Sequence, residues 1–136
     1  AYASAAKAKR GGYTLREAGG GGPDVILAAT GSELSLAIEA ADMLEADGTS
    51  VRIVSMPCWE LFEQQDEAYR NEVFTPGIPG VAVEAGIRQG WDRWVGSDGG
   101  FVTLDRFGAS APYKTVYEKL GITAEHVVAE AQRLLA

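Results

Sequence analysis

Thr30-Gly31-Ser32-Glu33 joins an apolar run to a helix-patterned run, and it is the first group of residues with the makings of a ligand site. Strand, glycine turn and helix is how many nucleotide-binding domains offer backbone amides to a phosphate. This turn has a single glycine where a dinucleotide fingerprint needs three. A P-loop needs a lysine after its second glycine, and no lysine stands between Lys9 and Lys114. Thr30 and Glu33 instead match the capping box, in which an N-cap hydroxyl and an N3 carboxylate satisfy each other's amides. A carboxylate in the first turn also occupies the positive helix end where a phosphate would sit. The pattern therefore predicts a structural cap. A small polar ligand is the alternative, because Thr30, Ser32, Ser55 and Glu84 fall near the carboxyl ends of predicted strands, the usual binding edge of a parallel sheet. Glu84 ends an apolar strand, and the reading that ranks first for it is a structural carboxylate bonded to backbone amides or paired with Arg88.

Other reactive residues form no complete set. "GASAP" (108–112) resembles a nucleophile elbow around Ser110, but its last position is Pro112 and a proline-started helix follows. Ser110 would need His126, the sole histidine, as its base. Cys58 and His126 are the parts of a thiol dyad; a small cysteine at a helix start is more often an inert packing residue. One Cys and one His make an ordinary zinc site implausible. "SDGG" (97–100) has too few oxygens at calcium-loop spacing.

The elements that must position these groups follow from composition and period. At 136 residues the chain fits one domain with room for a real core. Its 46% hydrophobic and 23% charged residues are ordinary for a globular protein, and no apolar run is long enough to span a bilayer. A net charge of −7 argues against nucleic acid or an anionic membrane as partner. The lone Cys58 excludes an internal disulfide and points to a reducing, cytoplasmic setting.

Residues 1–10 read as a tail or linker, with order beginning at "GGY" (11–13) and a domain over 11–136. Tyr13–Arg16 is a short edge strand, and "AGGGGP" (18–23) is a loop. Val25–Thr30 is apolar on both alternating sets, as a central strand covered on both faces must be. A helix from Ser32 to Asp47 places Leu34, Ala37, Ile38, Ala41 and Leu44 on one face, with Gly48 as its C-terminal stop. Val51–Pro57 is the next strand, which completes a βαβ unit. Residues 58–74 are helical with a break near Gln65-Asp66. "VAVEAG" (81–86) is a third buried strand, 89–100 holds a short helix, and 101–108 is the last strand. Pro112 opens a helix through Leu120, and Thr123 caps the final helix through Leu135. Trp59, Trp91 and Trp94 are many indoles for one small domain. Trp91, Trp94 and Tyr13 are the candidates for an interdomain surface, with at least one of them expected to be exposed, since aromatics are enriched at interfaces.

Taken in order, "RGGYTL" (10–15), "ILAATGSELSLA" (26–37), "VRIVSMP" (51–57), "FEQQDEAYR" (62–70), "VAVEAG" (81–86) and "FGASAP" (107–112) resemble the C-terminal domain of transketolases. The resemblance covers the chain from Arg10 to Leu135. Deoxyxylulose-phosphate synthase and pyruvate dehydrogenase β-type domains fit less well, lacking "QQDEAYR" and "FGASAP". It implies an α/β domain of three layers (α/β/α), with a five-stranded, mostly parallel mixed sheet whose first strand is antiparallel. It implies a parent enzyme that moves a two-carbon ketol unit from a ketose phosphate to an aldose phosphate in the pentose phosphate pathway. The parent would use thiamine diphosphate and a divalent cation, magnesium or calcium, held between preceding domains across a homodimer interface. No catalytic, cofactor or metal motif of that family has a counterpart in this sequence, so none of its residues takes such a role. The chain is then a non-catalytic structural or regulatory piece, inactive and monomeric on its own, whose partners are the preceding domains and a second subunit. A small polar-ligand module at Thr30, Ser32, Ser55 and Glu84 is the competing reading. A small hydrolase using Ser110 or Cys58 comes third.

Overall fold

The computed structural model describes Tyr2 and residues 5–84, 90–96, 98–103 and 123–136. The Ser110 turn, the helix expected at Pro112–Leu120 and Arg88 lie outside the described residues. Five strands form one sheet: β1 (Tyr13–Arg16), β2 (Val25–Ala29), β3 (Val51–Ser55), β4 (Gly80–Glu84) and β5 (Gly100–Thr103), in the order β1-β3-β2-β4-β5. β1 runs antiparallel to β3, and the remaining pairs are parallel. The three-layer, mixed-sheet architecture expected from the sequence is the one observed.

Every residue of β2 and β3 is buried, because helices cover both faces. Val25, Leu27 and Ala29 pack with α1 (Leu34–Ala46) and the C-terminal helix, here α5 (Ala124–Leu135). Ile26 and Ala28 pack on the opposite face with Met56, Phe62, Val73 and Trp91. That face is covered by α2 (Trp59–Glu63), α3 (Glu67–Val73) and α4 (Asp92–Val95). The buried stripe of α1 is Ala37, Ala40, Ala41 and Leu44; Leu34 and Ile38, expected on that stripe, are only partly buried.

Local signals place the element ends. Gly48, at φ +89°, ends α1 in a Schellman motif: Thr49 N donates to Leu44 O at 3.0 Å and Gly48 N to Glu45 O at 3.0 Å. Asp66 accepts from Tyr69 N at 2.8 Å and starts α3, which is the expected break. Thr123 caps α5 through His126 N at 3.2 Å. A register shift between Thr14 and Arg16 marks a bulge in the edge strand. Arg16 ties that edge to α1 through Asp42 at 2.9 Å and Glu45 at 3.3 Å.

The N-terminal segment departs from an irregular tail: Ala5–Arg10 forms a 3₁₀ helix. It leads into Gly11, at φ +79°, whose carbonyl accepts from Cys58 N at 2.9 Å. A Cβ at Gly11 would collide with the Cys58 carbonyl, and one at Gly12 would lie 2.8 Å from the Phe62 ring. The "GGY" signal is thus a close approach of β1's entry to the start of α2.

Candidate functional site

The turn after β2 is built differently from a capping box. Residues Gly31–Glu33 form a 3₁₀ turn before α1, and Thr30 makes no side-chain cap bond. Its hydroxyl instead donates to a carboxylate oxygen of Glu84, at the end of the neighbouring β4. The expectation that Thr30 caps the helix through its side chain is corrected. Parallel pairing of β2 with β4 brings the two strand ends together, so the hydroxyl proton finds a carboxylate acceptor within reach. Glu33 is buried in this turn, and a Cβ at Gly31 would lie 3.7 Å from its Oε2.

An open cleft of about 450 Å³ lies at this edge, lined by Thr30, Cys58, Trp59, Glu60, Glu84 and Trp91 among others. Of the expected ligand edge, the structure brings Thr30 and Glu84 together. Ser55 is buried opposite Ala29 and does not line the cleft. The Ser32 side chain lies outside what the structure describes. Cys58 precedes α2, and its Sγ lies 3.4 Å from the Glu60 carboxylate. Glu60's own backbone amide, and then the Cys58 thiol, hold that carboxyl below its ordinary range. His126 sits on α5 against the opposite face of the sheet, so no Cys58–His126 dyad forms.

Of the three aromatic candidates for an interdomain surface, the fold encloses two. Trp91 is 0% exposed and Tyr13 is 7% exposed. Trp94 is only partly buried, packed against the second core. Trp59 stacks edge-on with Trp91 at 5.0 Å and with Trp94 at 6.2 Å. The indoles fill the layer between the sheet and the short helices α2 and α4, where long aliphatic helices are lacking. Among the described residues, Trp91 Nε1 is buried without a hydrogen-bond partner, an unusual state for an indole in a residue that lines a cleft.

Arg52 was not singled out by the sequence. It is buried in β3, with Nε bonded to Glu17 at 2.8 Å and Nη1 to the carbonyls of Glu72 (2.8 Å) and Val73 (3.0 Å) and to Thr75 Oγ1 (2.9 Å). The signal was present: a cation second in the apolar strand "VRIVS" must find partners inside the fold.

Comparison with known proteins agrees with this architecture. The family described as "Transketolase-like TK C-terminal domain" matches residues 11–123. A transketolase of Sinorhizobium medicae is 54% identical over 126 residues, which cover 92% of this chain and 18% of that protein. Transketolase 7 of Craterostigma plantagineum is 48% identical, with 92% and 19% covered. Among solved structures, transketolase from Leishmania mexicana superposes with a TM-score of 0.88 at 38% identity, over 98% of this chain and 19% of that one. A split-gene transketolase, titled an inactive β4 tetramer, matches with a TM-score of 0.70 at 30% identity, over 91% of this chain and 42% of that one. The chain thus spans about a fifth of the length of the full-length relatives it matches.

Proposed function

Because this chain belongs to the transketolase C-terminal domain family, we propose that it is a structural, non-catalytic domain whose parent enzyme transfers a two-carbon ketol unit between sugar phosphates. The observation that carries this reading is coverage: one domain of the relatives is matched over nearly all of this chain, and that domain is under a fifth of the Sinorhizobium enzyme. The parent would bind thiamine diphosphate and a divalent cation, and act as a cytoplasmic homodimer of the pentose phosphate pathway. Residues 1–10 would then carry the chain from the preceding domain.

The described residues do not fit that cofactor. The Thr30 turn sets Glu33 and Glu84 where a diphosphate would need amides or cations. Among the described residues, no group of three His, Cys, Asp or Glu side chains could hold a metal ion. The cofactor's chemistry would then belong to the parent's other domains. The split-gene relative is titled inactive, which supports the reading that a separated C-terminal piece does not turn over alone.

The test is calorimetry and a coupled transketolase assay on the purified chain. We expect no ketol transfer and no heat on adding thiamine diphosphate with magnesium. Micromolar cofactor binding to this chain would overturn the reading.

A second reading, a small polar-ligand module at the carboxyl edge, is favoured by the cleft at Thr30 and Glu84 and by Trp91 Nε1, which has no hydrogen-bond partner among the described residues. A sugar phosphate held at the turn should saturate, and should bind more tightly in Glu33→Gln. Absence of saturation rejects it.

A further inference from the structure

The 3₁₀ segment Ala5–Arg10 and α3 border a second, larger cleft of about 750 Å³, which shares no lining residue with the one at the carboxyl edge. Lys7, Lys9, Arg10 and Arg52 line it, against Glu17 and Glu72. Glu17 is bound to Arg52, so that pair cancels. Among the described residues, Lys7, Lys9 and Arg10 then share the cleft with the one remaining carboxylate, Glu72, in a chain whose net charge is −7. Residues three apart eclipse on a 3₁₀ helix, so Lys7 and Arg10 leave the segment on one side.

The cleft is organised before any ligand arrives. The Arg10 guanidinium lies 4.4 Å from the Tyr69 ring centroid. A cation–π contact of this kind uses none of the guanidinium's hydrogen-bond donors, so its N–H groups can still serve an oxyanion. The Tyr69 ring is held by its hydroxyl, which donates to Gly12 O at 2.9 Å. Burial pushes the Tyr69 phenol up, while the adjacent Arg10 charge pulls it down. On the floor, Arg52 is fixed by two backbone carbonyls and by Thr75.

We propose that this cleft binds a small phosphorylated molecule, with the phosphate dianion between Lys7 and Arg10. An excess of two positive charges matches a phosphate dianion better than a single carboxylate, and a guanidinium fork binds phosphate bidentately. The volume lies within the range of small-molecule sites. A polyanion such as nucleic acid would meet the field of the remaining acidic surface, whereas one small dianion is accommodated.

The test is a titration of the full chain with inorganic phosphate and with glycerol phosphate, followed by amide NMR shifts and calorimetry, against sodium chloride at matched ionic strength. We expect saturable shifts confined to Lys7–Gly12 and the neighbourhood of Tyr69 and Thr75. Arg10→Gln should weaken binding about tenfold, as loss of one charge-assisted contact implies. Arg10→Lys should weaken it less, and Glu33→Gln, at the other edge, should leave it unchanged. Arg10 is exposed, so its variants should keep the wild-type melting temperature. If one does not, Lys7→Gln replaces it. Equal affinity for both probes places recognition on the phosphate alone, and tighter ester binding extends it to the organic part; either supports the proposal. Shifts that fail to saturate, or affinity indifferent to Arg10→Gln and Lys7→Gln, mean an adventitious ion only and overturn it.

Discussion

Thr30 shows how one hydroxyl can serve two structures that look alike in sequence. In a capping box its partner would be an amide two or three residues on; in the fold its partner is the Glu84 carboxylate, from the adjacent strand. The two cases separate by a double-mutant cycle. Thr30→Val should cost about 1.5–3 kcal/mol, the worth of a hydrogen bond to a charged group. Combined with Glu84→Gln, the two losses should fall short of additive by about 1 kcal/mol, because they remove the same bond. Denaturant melts of the single and double variants measure this. Full additivity would return Thr30 to a role in capping alone.

At the scale of elements, the short helices on the indole face depend on local anchors more than on length. α3 (Glu67–Val73) is too short to persist by propensity and starts on the Asp66 cap. Asp66→Ala should therefore cost about 1 kcal/mol, read as a lowered urea midpoint with an unchanged slope. Gly11→Ala tests the neighbouring anchor, where the entry to β1 crosses the start of α2. Its backbone is left-handed and its missing Cβ is occupied space, so several kcal/mol should be lost and the segment Ala5–Arg10 should detach. A Gly11→Ala chain that melts like wild type would mean that this contact is not fixed in solution. The caps at Asp66 and Thr123 and the glycine stop at Gly48 belong to a class that sequence reveals, because each acts on residues within one turn of itself.

For the whole molecule, the burial of Tyr13 and Trp91 changes what the surface offers. Among the described residues, the exposed large apolar side chains are Tyr2, Met43, Leu61 and Leu135. Met43 and Leu135 lie on the helices of one face, and Leu61 lies on α2 over the other. Scattered apolar residues of this kind are normal for a monomer. With a charge of −7 opposing self-association, sedimentation at micromolar concentration should give one species near the chain mass of 14.4 kDa. Thermal unfolding should be a single cooperative transition, since the two cores share the strands between them. The tetrameric split-gene relative has a chain more than twice as long, so its association surface can lie outside the region matched here. A stable dimer or tetramer of this chain would show that the domain carries an association surface of its own.

The sequence by itself determined the elements and their class. The doubly apolar run at 25–29, the helix after it, the Gly48 stop and the second strand at 51–55 require a parallel pair with its first strand buried on both faces. These signals are local or periodic, and a parallel sheet has few other ways to hide such strands. The order of motifs also identified the family. Tertiary structure decided which side chains meet across elements. It gave the Thr30 hydroxyl to Glu84 and put the Cys58 thiol and His126 on opposite faces. It buried Trp91 against Trp59, and it turned a lysine-bearing "tail" into one wall of a basic cleft. Such meetings depend on strand order and on helix packing. Residues 32 or 54 positions apart, as Trp59 and Trp91 or Thr30 and Glu84 are, carry no periodic mark of their proximity, and a polar side chain reads the same in sequence whichever neighbour the fold supplies.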